Sequence, residues 1–79
     1  MEHTGQLEVR LFTFLREGRG KKVFLDIERG KTTILEVLNQ IDIKVEDLAV
    51  IIINGDDADP SHVIRDGEYL ALFPPAGGG

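Results

Sequence analysis

Only a handful of side chains in these 79 residues could do chemistry, and their spacing excludes most of it. His3 and His62, the two histidines, lie far apart and in no ligand spacing. Asp56, Asp57 and Asp59 crowd one loop, but a calcium loop needs oxygen ligands at regular alternate positions closed by a bidentate glutamate, and that pattern is missing. Ser61 adjoins His62, and adjacent residues do not reach triad geometry. Gly30-Lys31-Thr32-Thr33 lacks the first glycine and the spacing of a P-loop. The absence of cysteine removes thiol nucleophiles, zinc–thiolate sites and disulfides. The expectation is a chain that holds no metal and catalyses nothing alone.

The carboxyl-terminal residue is a different kind of group. An α-carboxylate on Gly79, with a pKa of about 3.3–3.7, is ionised at neutral pH and sterically open. Gly77 and Gly78 before it carry no Cβ, so an enzyme could enclose them in a narrow channel that other residues would clash with. Pro74-Pro75 cannot extend a sheet ladder, because neither residue has an N–H, and so should stop the sheet and aim the tail outward. Taken alone, Gly77-Gly78-Gly79 reads equally well as a linker remnant or a frayed end.

The body that would carry such a tail is small. At this length a chain forms one domain and buries about 60% of the surface its unfolded form exposes. The composition, 42% apolar and 29% charged, is that of an ordinary globular protein. A net charge of −5 argues against nucleic acid as a partner, since phosphate contacts need clustered Lys and Arg. Arg16, Arg19, Lys21 and Lys22 do cluster, and they read as a solvated hairpin loop. No apolar run approaches the roughly 18 residues of a membrane span, and Met1 to Gly5 do not resemble a signal peptide. A cytoplasmic setting without membrane contact is expected.

Leu7 to Leu15 begins with strand alternation, Leu7, Val9 and Leu11 facing one way; Phe12 and Phe14 break it, as if the strand's end were covered on both sides. The glycines of 16–20 predict a reversal into a second strand over 22–27. Thr33-Ile34-Leu35-Glu36 has the form of a capping box, and Ile34, Leu38 and Ile41, widened by Val37, predict a helix over 33–41 whose stripe lies on a sheet. Leu48 to Ile53 reads as a central strand buried on both faces, closed by Asn54-Gly55. Residues 56–63 form a loop with room for a short edge strand, Asp66-Gly67 a tight turn, and 68–73 a last strand with Leu70 and Leu72 on one face and Tyr69, Ala71 and Phe73 on the other. Hairpin, helix, central strand, irregular crossover and final strand make an α+β domain. The order suits a β-grasp: four to five strands in a mixed sheet, one main helix on one face. The domain spans 1–75 and the glycine tail 76–79.

On these residues the chain resembles the MoaD/ThiS sulfur carriers, which are ubiquitin-like. Ile53-Asn54-Gly55, Asp66-Gly67-Glu68, Phe73-Pro74-Pro75 and the closing Gly78-Gly79 are similar to that pattern over nearly the whole chain. Phe73-Pro74-Pro75 is nearer the MoaD branch, the molybdopterin synthase small subunit. Gly77 stands where that family more often has Ala, Glu68 replaces a frequent Asp, and the segment between helix and central strand is short. The resemblance implies a β-grasp that binds no cofactor itself. A ubiquitin-activating-like adenylyltransferase of the MoeB/ThiF type would use MgATP to adenylate the Gly79 carboxylate, with Gly77 and Gly78 giving access. A sulfur donor protein would then convert it to a thiocarboxylate. A synthase large subunit of the MoaE type would receive the sulfur for molybdopterin, or a thiazole synthase for thiamine; a tungstopterin homologue or a lysine-conjugated modifier would share the tail chemistry, and a binding module would leave the tail inert. Such a body must be gripped while its tail is threaded, so an apolar docking patch is expected near the exit, at Phe12, Phe14, Phe73, Pro74 and Pro75.

Overall fold

A hairpin of β1 (Thr4–Leu11) and β2 (Lys22–Glu28) opens the chain in the computed structural model, which describes residues 4–75. The alternation seen in the sequence sets its faces: Leu7, Val9 and Leu11 are fully buried. β1 stops at Leu11 and not at Leu15. Thr13 takes φ +51, and Thr13–Arg16 forms a 3₁₀ turn that tucks Leu15 into the core. A β-branched residue in the left-handed region is unusual, so the reversal is imposed by packing and not by Thr13 itself.

The helix α1 (Ile34–Gln40) begins as expected. The Thr33 hydroxyl accepts from the Glu36 amide, and the Glu36 carboxylate accepts from the Thr33 amide at 2.9 Å. Ile34, Val37 and Leu38 are fully buried against the sheet, whereas Ile41 is the C-cap and only half-buried. The helix ends in a Schellman arrangement: Asp42, at φ +58, donates to the Asn39 carbonyl, and Ile43 donates to that of Leu38. A 3₁₀ turn at Val45–Asp47 leads to β3 (Val50–Ile53) and the two-residue β4 (Asp56–Asp57). Asn54 and Gly55 both have positive φ, as a two-residue hairpin turn requires. β5 (Tyr69–Phe73) closes the sheet, entered through a reversal with Gly67 at φ +80.

The strand order is β2-β1-β5-β3-β4, with β1 and β5 parallel and every other pair antiparallel. The order corrects the expectation for 48–53. The central strand is β5, whose Leu70, Ala71 and Leu72 are all buried. β3 is the penultimate strand and buries one face: Ile53 is buried, Ile51 packs on the core, and Val50 on the opposite face is exposed. No helix among the described residues is long and apolar enough to cross a membrane.

Candidate functional site

The site follows from where β5 delivers the chain. Its backbone is held on both sides, by β1 through Glu8↔Tyr69 to Leu11↔Leu72 and by β3 through Val50↔Phe73 to Ile53↔Leu70. The Phe73 carbonyl accepts from the Ala49 amide at 2.8 Å, so the grip lasts to the final residue of the strand. Pro74 is then buried and Pro75 exposed. Packing thus governs Pro74, which is unavailable as docking surface, and the exit lies within one residue of the core. Gly77, Gly78 and Gly79, with the expected mobile tail, lie outside the described residues.

Phe12 and Phe73 meet beside this exit, their rings stacked with centroids 4.3 Å apart and planes inclined by 11°. Both are half-buried. The Arg16 guanidinium lies 5.4 Å from the Phe12 ring centre while its Nε donates to the Leu11 carbonyl at 2.8 Å. Phe14, in the 3₁₀ turn, is 47% exposed. Of the expected docking residues, Phe12 and Phe73 are brought together, Phe14 and Pro75 face solvent, and Pro74 does not.

Register assigns the rest of this sheet face. Glu8 and Arg10 of β1 point away from the core, as do Tyr69, Ala71 and Phe73 of β5 and Val50 and Ile52 of β3. The β1 side is polar: Arg10 Nε donates to Glu8 Oε2 at 2.6 Å, its guanidinium lies 4.0 Å over the Tyr69 ring, and Lys22 Nζ is 3.8 Å from the same Glu8 oxygen. The hydrogen bond from Arg10 is the largest influence holding the Glu8 carboxyl below the usual carboxylate range, and Glu8 in turn raises Arg10. The β3 and β5 side is apolar, from Val50 and Ile52 through Ala71 to the Phe12–Phe73 stack.

Sequence reasoning missed Val50 and Ile52, which composition alone cannot tell from buried residues; the parity of β3 against β5 would have found them. It also left Glu68 without a role. The Glu68 carboxylate accepts from the Arg65 amide at 2.6 Å and lies 3.2 Å from His62 Nε2, so it ties the turn before β5 to the crossover loop.

A five-stranded mixed sheet crossed by one helix, with the chain end leaving the central strand, is the β-grasp of small ubiquitin-like carrier and modifier proteins. The sequence matches the ThiS family over residues 9–79, and the chain belongs to that family, as a MoaD/ThiS-type protein. Among solved structures it is similar to small archaeal modifier protein 1 (SAMP1) from Haloferax volcanii, with TM-score 0.77 and 28% identity over 95% of this chain and 100% of that one. The HVO 2177 protein of Haloferax volcanii gives TM-score 0.76 at 23% identity, over 100% of this chain and 91% of that one. A chain in the complex of subunits 1 and 2 of molybdopterin-converting factor from Helicobacter pylori 26695 gives TM-score 0.63 at 21% identity, over 95% and 100%. The last two likenesses show the fold alone. No curated protein matches the chain.

Proposed function

We propose that this protein is a cytoplasmic sulfur carrier that works through the Gly79 carboxylate and supplies sulfur to molybdopterin synthesis. A carboxylate is a poor electrophile until it bears a good leaving group. A partner adenylyltransferase therefore has a carboxylate oxygen attack the α-phosphorus of MgATP, releasing pyrophosphate and leaving an acyl-adenylate. A sulfide equivalent from a donor protein then attacks the acyl carbon and expels AMP, giving the thiocarboxylate. The chain has no cysteine, so the sulfur comes from outside. The observation that carries the proposal is that the ThiS family match runs through residue 79, covering the glycine ending as well as the body. Gly77 and Gly78 provide clearance for a channel built around bare backbone. The apolar side of the open sheet face, with Phe12 and Phe73 at the exit, is where the activating enzyme and synthase subunit grip the body. The Helicobacter complex, in which a chain of this fold is joined to a second subunit, supports a synthase partner.

The likeness to SAMP1, a modifier protein by name, favours a second outcome for the same acyl-adenylate: attack by a lysine amine to form an isopeptide. Incubation with the cognate activating enzyme, MgATP and a sulfur donor, followed by intact mass, tests the carrier. The expected result is the exchange of one oxygen for sulfur, lost on Gly78→Val or on deletion of Gly79 while thermal stability stays unchanged. A tail variant that still gains the sulfur mass refutes the assignment. Addition of molybdopterin or thiazole synthase decides the acceptor, and a Gly79–lysine isopeptide in digests of cell protein would favour the modifier.

A further inference from the structure

β2 is one of the two edge strands of the sheet, the other being the two-residue β4, and no strand among the described residues lies on its far side. The Leu11 amide donates to the Lys21 carbonyl at 2.9 Å, in line with the β1–β2 register, so the odd-numbered residues of β2 turn their backbone groups toward β1. The even-numbered residues Lys22, Phe24, Asp26 and Glu28 therefore point N–H and C=O outward. Glu28 is already engaged by its own loop: its amide donates to Thr32 Oγ1 at 2.8 Å, and its carbonyl accepts from the Lys31 and Thr32 amides at 3.0 and 2.9 Å. Lys22, Phe24 and Asp26 keep their outward backbone groups without a partner among the described residues.

Natural sheets blunt such an edge with proline, a bulge, like charges or a cover. This one has no proline, its seven-residue register with β1 is unbroken, and the middle one of its three free outward-facing residues is Phe24, 56% exposed. The flanking charges are of opposite sign, Lys22 two residues before Phe24 and Asp26 two residues after it. In an antiparallel pair of identical strands centred on Phe24, each charge faces its opposite.

We propose that β2 pairs edge to edge with β2 of a second copy of this chain, Phe24 opposite Phe24 and Lys22 of each copy opposite Asp26 of the other. The register is selected by the backbone. A slip of one residue opposes outward groups to inward ones. Placing Lys22 opposite Glu28 calls on groups that Thr32 and Lys31 already occupy, and sets Phe24 against Asp26. In the centred register the aromatic pair lies on the open face, and half-buried Val23 meets half-buried Leu25 on the helix side. The two copies run in opposite directions, so their β5 ends leave the joined sheet at opposite ends and neither exit is blocked. So short an edge contact falls below the standard area of about 800 Å² per partner, and the dimer is weak and concentration-dependent.

Sedimentation equilibrium of the full chain tests this. The weight-average mass should rise from 8.8 kDa toward twice that value between about 10 μM and about 1 mM, the range of sub-standard interfaces. Asp26→Lys and Lys22→Asp, each confirmed folded by circular dichroism, should stay monomeric alone, since like charges then face each other. Mixed in equal amounts they should associate, because both cross-strand pairs again have opposite signs. Phe24→Pro, which removes an outward N–H and leaves the β1 ladder intact, should also be monomeric. A wild-type mass independent of concentration would overturn self-pairing, as would single charge variants that associate like wild type or a mixture that stays monomeric.

Discussion

Arg19 offers a sharp test of how the body is held together. Its side chain reaches across from the hairpin loop and donates to three backbone carbonyls: Nε to Ile41 at 3.0 Å, Nη1 to Leu15 at 3.2 Å and Nη2 to Asp42 at 3.1 Å. Ile41 and Asp42 are the C-terminal cap of α1, so the guanidinium also sits at the negative end of that helix. Two of the bonds are part-buried and one is exposed. Charge-assisted bonds to carbonyls that water can reach after truncation are worth about 0.5–1 kcal/mol each, and the helix end adds about 0.3–1. Ordering an arginine offsets up to about 2 kcal/mol of that sum. Arg19→Ala should therefore cost about 1–2 kcal/mol, lowering Tm by about 4–16 °C in a domain of this size. Arg19→Lys keeps the charge without the fork and should recover less than half. Arg29→Ala is the control, since Arg29 meets the well-exposed Asp66 at 3.2 Å and such a pair contributes about 0.5 kcal/mol or less. Urea unfolding followed by circular dichroism measures all three. A loss at Arg19 no greater than at Arg29 would show that the loop and the helix end are not energetically joined.

Leu38→Ala, at a fully buried helix position facing the sheet, should cost about 2–5 kcal/mol, a large share of the roughly 4–12 kcal/mol available to a domain this small, and is read from the same urea midpoints. Asp42→Gly should raise stability by about 0.5–1 kcal/mol, because Asp42 holds φ +58 at the position where glycine carries no Cβ penalty; a lower Tm in differential scanning calorimetry would contradict this. The Glu8 carboxyl is held below its ordinary value, foremost by Arg10, so it binds a proton more readily in the unfolded chain. Its contribution is fully present above the unfolded value of about 4.3 and is lost as pH falls through the lower folded value. Urea midpoints between neutral and acid pH should therefore fall more steeply for wild type than for Glu8→Gln.

The parts of the fold legible in the sequence are those set by neighbours a few residues apart. Thr33 and Glu36 form their reciprocal cap, Asn54-Gly55 takes two positive φ angles, and Leu70 and Leu72 share a buried face, because each follows from local geometry. What the sequence hid depends on distant contacts. Arg19 read as a loop cation because its carbonyl partners at Ile41 and Asp42 lie 22 and 23 residues away. β1 read as running to Leu15 because nothing local marks Thr13 as a reversal; burial of Leu15 and the stacking of Phe12 on Phe73 require it. Leu48 to Ile53 read as central because an apolar run looks the same whether its second face meets a helix or stays open, as it does at Val50.

The placement of β5 at the centre of the sheet has a mechanical consequence for the proposed carrier. A strand at an edge opens at little cost, and a tail leaving it would have a base that frays. β5 has a neighbour along both sides, buries Leu70, Ala71 and Leu72, and keeps its last carbonyl bonded to Ala49, so freeing Phe73 means disrupting much of the sheet. The exit is therefore fixed relative to the Phe12–Phe73 stack and the apolar strip on the open face. In the proposed carrier, a partner gripping this face would therefore meet the end of β5 at a defined position, with no ordering cost at Phe73. On the proposed function the same partition separates two kinds of mutation: changes in β5 before Pro74 should lower the urea midpoint, whereas Gly78→Val should leave that midpoint unchanged and abolish the gain of sulfur mass.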